Sequence, residues 1–508
     1  MFAAMNFTRL LPGRALREWA RRFGFFGPFR LLALAVALGG SGVPSLMAAA
    51  NNPNTDWFQR AGYGVFVHYL EDLQNDPAQI HSLGRRTSWD ECVREFDVNR
   101  FADAMAEAGA GYVFFTMHQR TRFLIAPNAT FDQMASYKPG EACATRDLVE
   151  DLYQALHRKN IPLMLYWTGD GPRADAKAAA AMGATALVTT DYVKKWASVV
   201  EEYGERYGEK VAGWWADGCY PFIGYDDEKL GIMARALKAG NPKRIVALNP
   251  GVEDKVRAYS RHEDFTTGEQ NQFLDKPLSR WVEGEQWHIL SFLGSGQSHI
   301  GAAWAMPGAC VSKQDLIDYV FDVNSAGGVV SIDAILFRDG GLDRSQLEVL
   351  KALRPGLAAS KARPPVPPGN LAFRKPARLL SLDGKHALVV NGGTHFAKLG
   401  VDGNLRSTAL AAGEWPWTYE VDLLEARAVR RIKVTFSKTG YATKLRLALS
   451  EDAKTWREVA LADNLNGQPF EREFAPVKAQ FVRVSALKPD GPNQPGAQMA
   501  VAELEVYE

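Results

Sequence analysis

Val211-Ala212-Gly213-Trp214-Trp215-Ala216-Asp217-Gly218 is an apolar run that ends on a carboxylate and passes at once into a glycine turn. A run of this kind reads as a buried strand, and an acid held at its tip is costly to desolvate unless it is used. An Asp before Gly also serves as a plain turn former, so the segment taken singly leaves both readings open. Its surroundings give it weight. From about residue 57 to 357, short apolar runs alternate with amphipathic stretches, the pattern of βα units on a parallel sheet.

The other candidate strands are 62–69 (GYGVFVHY), 111–118 (GYVFFTMH), 161–167 (IPLMLYW), 244–249 (RIVALN), 287–293 (WHILSFL) and 328–333 (GVVSID). Helices are expected over 100–110, 146–160, 191–207, 227–240 with a glycine C-cap, and 313–324. One more strand around Glu263–Gly268 brings the number to the eight of a (β/α)8 barrel. Barrel enzymes build their sites at the C-terminal ends of the strands, and here those ends carry His68, His118, Trp167, Asp217 and Asn249. Polar groups and aromatic faces together suit a sugar, and Tyr69, Trp89, Tyr166, Trp167, Trp214 and Trp215 supply the faces, although a buried ring is more often packing than platform, so only those at strand ends count.

The 508 residues, 46% of them hydrophobic, leave room for a targeting segment and more than one domain. Residues 1–50 carry arginines at 9, 14, 17, 21, 22 and 30, an apolar run 31–38 and Ala48-Ala49-Ala50, which reads as a secretory signal with a small-residue cleavage site. Export to a periplasmic or extracellular space is therefore expected. Without those residues, 53 basic and 57 acidic side chains remain, a net charge of −4. That balance provides no basic field for nucleic acid, and no membrane partner is expected once the signal is removed. Cys92, Cys143, Cys219 and Cys310 lack metal-ligand spacing; pairing of two of them and no pairing at all are both compatible with an exported chain. Nothing in the barrel has the spacing of a catalytic metal site, so no catalytic cofactor is expected.

Pro364-Pro365-Val366-Pro367-Pro368-Gly369 is a stiff linker, placing boundaries at 51–360 for the barrel, 361–369 for the linker and 370–508 for a second domain. Beyond it, short alternating strands at 428–436, 444–450, 480–487 and 501–507 with turn residues between them predict a β-sandwich.

Specific motifs carry two resemblances. In the C-terminal part, Asn370-Leu371-Ala372, Val401-Asp402-Gly403-Asn404, Ser407-Thr408, Leu449-Ser450-Glu451-Asp452 with Trp456, Phe481-Val482-Arg483-Val484 and Ala502-Glu503-Leu504-Glu505-Val506 resemble a discoidin-type (coagulation factor type C) sandwich of the carbohydrate-binding sort. That resemblance implies a carbohydrate partner and a structural calcium on Asp402, carbonyls near Thr408 and Glu503, an ordinary turn and an exposed Glu being the other reading. The barrel resembles the retaining α-L-fucosidase family of glycoside hydrolases through Trp57-Phe58, Gly64-Val65-Phe66-Val67-His68, Phe115-Thr116-Met117-His118, Leu165-Tyr166-Trp167, Trp214-Trp215-Ala216-Asp217-Gly218 and Leu316 to Asp333. It implies Asp217 as nucleophile and His68 and His118 as sugar ligands; of the aromatic faces, Trp89, Tyr166, Trp167 and Trp215 are the ones expected around the substrate.

Departures from that pattern are equally specific. A His pair becomes His118-Gln119, the following Asp-Gly-Phe becomes Arg120-Thr121-Arg122-Phe123, an arginine after the fifth strand is replaced by Asn249-Pro250-Gly251, and the last strand lacks its asparagine. The nucleophile survives these changes, which leave the glycone open between fucose and another sugar. Two glutamates compete for acid/base, Glu269 in Thr266-Thr267-Gly268-Glu269-Gln270 and Glu285 in Gly284-Glu285-Gln286-Trp287. The expectation is an exported, exo-acting retaining glycosidase; a glycan-binding protein that has lost turnover and a barrel hydrolase for a different glycone are the alternatives.

Overall fold

The computed structural model describes residues 52–253, 255–296, 302–360, 369–381, 394–405, 407–410, 417–437, 440–488 and 499–508. The expected signal segment and nearly all of the Pro-rich linker lie outside the described residues. Residues 49–508 form one compact unit.

The barrel strands are β1 (Tyr63–Val67), β2 (Val113–Thr116), β3 (Leu163–Thr168), β4 (Val211–Asp217) and β5 (Ile245–Leu248). A short hairpin, β6 (Trp281–Val282) and β7 (Glu285–Gln286), precedes β8 (His288–Phe292) and β9 (Val329–Ala334). Apart from the hairpin these strands form a seven-stranded sheet in the order β5-β4-β3-β2-β1-β9-β8, its neighbours all parallel. Helices 98–107, 148–157, 190–207, 227–237 and 313–325 connect them, so the run of βα units expected from the sequence is present. The helix that begins at Asp227 ends at Leu237, capped by Lys238 rather than by the expected glycine.

The expected strand at 263–268 stands between β5 and β8, but as an irregular stave. Asp264 N–H donates to Val246 O, and the Asp264 carboxylate accepts from Val246 N–H at 2.9 Å. On the other side, Leu290 N–H donates to Gly268 O and Gln270 N–H to Leu290 O. Thr266 Oγ1 both donates to His288 O and accepts from His288 N–H. Side-chain oxygens thus replace part of the backbone ladder, which closes the barrel without a continuous strand.

Side chains alternate across the staves. Phe66, Phe114, Met164, Tyr166, Trp215, Phe265 and Leu290 pack as one cluster inside the barrel. Val65, Val67, Phe115, Trp167 and Trp214 face the helices in a larger core. All four cysteines are free thiols.

The second domain is an antiparallel sheet system of β10 (Ala377–Ser381), β11 (Ala409–Leu410), β12 (Trp417–Phe436), β13 (Lys444–Ser450), β14 (Arg457–Ala462), β15 (Phe470–Lys488) and β16 (Ala500–Tyr507). β12 pairs with β15 along most of its length, with register shifts between Asp422 and Arg427 and between Val429 and Arg431 that bend the long ribbon. Val421, Val434, Leu447, Val484, Leu504 and Val506 belong to its separate core. This agrees with the expected sandwich. Lys276 joins the two domains, its ammonium lying 2.8 Å from Asp322 of the barrel and 2.7 Å from Asp402 of the sandwich. Lys398 of the sandwich pairs with Asp275 of the barrel.

Candidate active site

Asp217 is the last residue of β4, and its side chain lies on the lumen side, one layer beyond the inward-facing pair Tyr166 and Trp215. Three neutral donors hold its carboxylate. Tyr220 O–H and Asn249 Nδ2–H donate to Oδ1 at 2.8 and 2.9 Å, and Tyr166 O–H donates to Oδ2 at 2.6 Å. Gln119 Nε2–H in turn donates to the Tyr166 oxygen at 3.0 Å. No cation pairs with Asp217 among the described residues, so three oriented dipoles satisfy its charge while leaving it uncompensated. Gly218 has φ +68°, and a Cβ there would stand 2.7 Å from Asp170 Oδ1, so the sharp turn that presents Asp217 requires glycine.

The same Asn249 Nδ2 that reaches Asp217 also donates to Glu269 Oε2 at 2.7 Å. The two bonded carboxylate oxygens are therefore no farther apart than the sum of those distances, 5.6 Å. Burial pushes the Glu269 carboxyl well above the ordinary range and the Asp217 charge pushes it further, while the Asn249 bond pulls it back. The protonated form of Glu269 is thereby favoured beside Asp217. Carboxyl pairs of this kind, forced apart in proton affinity by their setting, are the mark of divided acid/base labour.

On the opposite wall, His68 Nδ1 lies 2.9 Å from Asp333 Oδ1. Ala305 N–H donates to Asp333 Oδ2 at 2.7 Å. A carboxylate accepts only, so Nδ1 carries the proton and Nε2 is the ring's other polar edge. Trp215 stacks on Tyr166 at 5.5 Å and 19°, and its indole N–H donates to Thr267 O. Asp170, just beyond β3, is raised to about 7 by burial, although Arg120, 3.3 Å away, opposes the shift.

Of the residues expected from sequence, Asp217, Glu269, His68, Tyr166 and Trp215 come together. Four do not. Glu285 is in the hairpin strand β7, ahead of β8 and thus at the N-terminal end of the barrel, where burial and, less strongly, the Asp264 charge raise it to about 7. Trp89 lies in helix 89–94, its indole N–H donating to Leu124 O and its ring against Tyr69 in the outer core. Trp167 points outward, stacked on Trp196 at 4.5 Å, because it follows the inward Tyr166 on an alternating strand. His118 lies two residues past the end of β2, packed edge-on against Trp167 and Trp196, with Nε2 3.1 Å from Thr168 Oγ1. Complete burial pushes its pKa down to about 3, so it is a neutral core histidine.

The sequence places Asn249 among the strand-end residues and marks it as a replacement, but gives no role to it, to Tyr220, to Asp170 or to the partnership of Asp333. The signal for Asp170 was present: Gly169-Asp170-Gly171 repeats after β3 the acid-glycine strand tip that singled out Asp217.

In the sandwich, Asp402 Oδ1 accepts from Asn404 N–H of its own loop, and Oδ2 accepts from Ser407 and from Lys276. Glu503 Oε2 accepts from Gly403 N–H, whereas Oε1 is buried and has no hydrogen-bond partner. Glu503 is buried, which excludes the reading as an exposed strand residue. These are hard oxygens from a loop and a strand, the donor type calcium takes, but the Lys276 ammonium already stands 2.7 Å from Asp402 and only Glu503 Oε1 is left over. No group of three His, Cys, Asp or Glu side chains suited to a metal occurs among the described residues.

A profile of the alpha-L-fucosidase family matches residues 89–355, more than half of the chain and the whole of the segment that carries Asp217, Asn249, Glu269 and Asp333. The chain belongs to the alpha-L-fucosidase family. It is a glycoside hydrolase, and residues 388–503 match the F5/8 type C domain. Among solved structures, this alpha-L-fucosidase family member is similar to a putative alpha-L-fucosidase from Bacteroides thetaiotaomicron (13% identity, 92% of this chain and 99% of that one, TM-score 0.43). It is also similar to a GH29 fucosidase from Ruminococcus gnavus solved in complex with fucose (13%, 92% and 97%, TM-score 0.39). Its sandwich is similar to chitosan-binding module 2 of a chitosanase/glucanase from Paenibacillus sp. IK-5, solved with chitotriose (26%, 27% and 100%, TM-score 0.23). No curated protein matches the chain. No helix of the described residues is long and apolar enough to cross a membrane.

Proposed function

We propose that this chain is an exo-acting hydrolase that removes a terminal fucose or a closely related sugar from glycans or polysaccharide with retention of configuration, Asp217 serving as nucleophile and Glu269 as acid/base. The observation that carries the reading is the shared Asn249 clamp, which holds an ionised and a protonated carboxyl within 5.6 Å. Retaining glycosidases place theirs about 5–5.5 Å apart and inverting ones about 6.5–9.5 Å, because the latter must admit a water between the base carboxylate and the anomeric carbon. Asp217 attacks the anomeric carbon while the bond to the leaving oxygen breaks and Glu269 gives that oxygen its proton. Glu269, now ionised, takes a proton from an incoming water, whose oxygen displaces Asp217 and restores the starting configuration. Tyr220, Tyr166 and Asn249 orient the nucleophile, His68 offers Nε2 to a sugar hydroxyl with Asp333 fixing its ring, and the Trp215–Tyr166 stack walls the pocket.

The F5/8 type C domain supports a carbohydrate-binding role that raises the local concentration of substrate. Calcium, held by Asp402, Glu503 and the 402–408 loop, would be structural there and takes no part in catalysis. Residues 1–50 support export to the periplasm or beyond.

The test is hydrolysis of a panel of nitrophenyl glycosides, α-L-fucoside included. One sugar is expected to be released with retained anomeric configuration. Asp217→Asn should lower kcat by about 10⁴-fold or more, and Glu269→Gln should cost about 10²–10⁴-fold on substrates with a poor leaving group. Undiminished turnover in Asp217→Asn, or an inverted product, overturns the assignment.

A further inference from the structure

Between the two domains lies a cavity of about 220 Å³ that none of the residues of the Asp217 cluster line. Its walls come from the barrel segment 274–278 with Lys255, and from the sandwich at 374–376, Lys398, Leu399 and Asp402. It is larger than the roughly 150 Å³ that accommodates a benzene ring, so it has room for one six-membered ring.

The lining has two chemistries. Leu274, Leu399 and Pro376 give it an apolar floor, and Leu278, 65% exposed, leaves a large hydrophobic side chain in water at its edge. Around that floor stand five cations, Lys255, Lys276, Arg374, Lys375 and Lys398. Three carboxylates answer them: Asp322 and Asp402 pair with Lys276, and Asp275 pairs with Lys398. That leaves two positive charges in excess among the described residues. Arg374 donates from its terminal nitrogens to the carbonyl oxygens of Pro277 and Asp322, and the Asp322 and Asp402 carboxylates that share Lys276 also act on its charge, so the excess rests on Lys255 and Lys375. Its Nε is buried without a hydrogen bond, a donor still lacking its acceptor. Lys255 is exposed and Lys375 half-buried, and neither has an ion-pair partner among the described residues. A positive pocket on a chain of net negative charge beyond residue 50 arises only because the two domains contribute cations to the same space.

We propose that this interdomain cavity is a binding site for an acidic sugar residue, its ring on the Leu274–Leu399–Pro376 floor and its carboxylate or sulfate ester facing Arg374, Lys375 and Lys255. An apolar floor suits the C–H face of a sugar ring, and the unneutralised cations supply charge-assisted hydrogen bonds to an anionic substituent. The choice of a sugar rests on the chain being a carbohydrate enzyme, but not on the roles assigned to Asp217 and Glu269. Such a site would direct the enzyme to acidic polysaccharide, and because both domains hold the ligand, binding also braces their contact.

The experiment is calorimetric titration of the full-length chain carrying Asp217→Asn, at low and high salt, with three tetrasaccharides: an oligogalacturonate, a sulfated galactan fragment and neutral cellotetraose. At least one acidic oligosaccharide should bind tenfold or more tightly than the neutral one, with affinity falling as salt rises. The preferred acid distinguishes carboxylate from sulfate. Lys255→Glu with Lys375→Glu should reduce that binding at least tenfold while nitrophenyl glycoside hydrolysis by the otherwise wild-type enzyme stays unchanged. Equal affinity for all three ligands, binding of none, or undiminished binding by the double variant overturns the proposal. The hydrolysis assay reports on the catalytic reading separately.

Discussion

At the level of single residues, Asn249 does more than its side chain suggests. One amide nitrogen bridges Asp217 and Glu269, setting their spacing and restraining the proton affinity of Glu269. As the acid, Glu269 must be protonated, so activity is present below its raised pKa and is lost as pH rises through it. Asn249→Ala removes the one interaction that lowers that value, so the basic limb of the kcat/KM profile should move to higher pH. The same variant removes a hydrogen bond to a charged nucleophile, a loss of about 1.5–3 kcal/mol, or roughly 10- to 100-fold in rate. A pH–rate profile of Asn249→Ala reads both effects; a limb that stays in place or moves down removes Glu269 from the role of acid.

At the level of elements, the irregular eighth stave is what delivers Glu269. Gly268 has φ +55°, and a Cβ there would lie 2.1 Å from His288 O and 2.7 Å from Ile289 Cα, both backbone atoms that cannot move aside. Gly268→Ala should therefore cost stability, about 1–3 kcal/mol from the backbone conformation before the clash is added, and displace Glu269 from Asn249. Urea unfolding should show the lower midpoint, and the folded fraction should have reduced kcat. Alternation explains the sorting of the aromatic residues on the neighbouring staves. Tyr166 and Trp215 face the lumen while Trp167 and Trp214 face the helices, so adjacent tryptophans in the sequence end in different cores.

At the level of the whole molecule, the barrel and the sandwich are joined through buried charge. The Lys276 side chain is only 10% exposed and lies between Asp322 and Asp402. Removing one member of a buried ion network leaves the other charges unpaired, at about 3–5 kcal/mol. Lys276→Met should lower the melting temperature, read by scanning calorimetry. Asp402 also belongs to the loop proposed to hold calcium, so chelation by EDTA should lower the melting temperature of the sandwich transition and added calcium restore it. Unchanged melting under chelation would remove the metal from that loop.

Much of the architecture was legible in the chain itself. The apolar runs with intervening amphipathic helices, the change of texture after the prolines, and the Asp217-Gly218 strand tip are local patterns, and secondary structure and burial follow from local periodicity. Other features depend on residues far apart in sequence. Glu269 rather than Glu285 stands beside Asp217 because the irregular stave brings it against Leu290 of β8, whereas Glu285 lies in the hairpin that precedes β8. The fate of Trp89, Trp167 and His118 was decided by which face of a helix or strand turned to the outer core, and His118 escaped the strand's alternation because β2 stops at Thr116. The Asn249 clamp and the cationic cavity exist only where separate segments meet, since sheet register and domain contact, not sequence spacing, bring their donors and charges together.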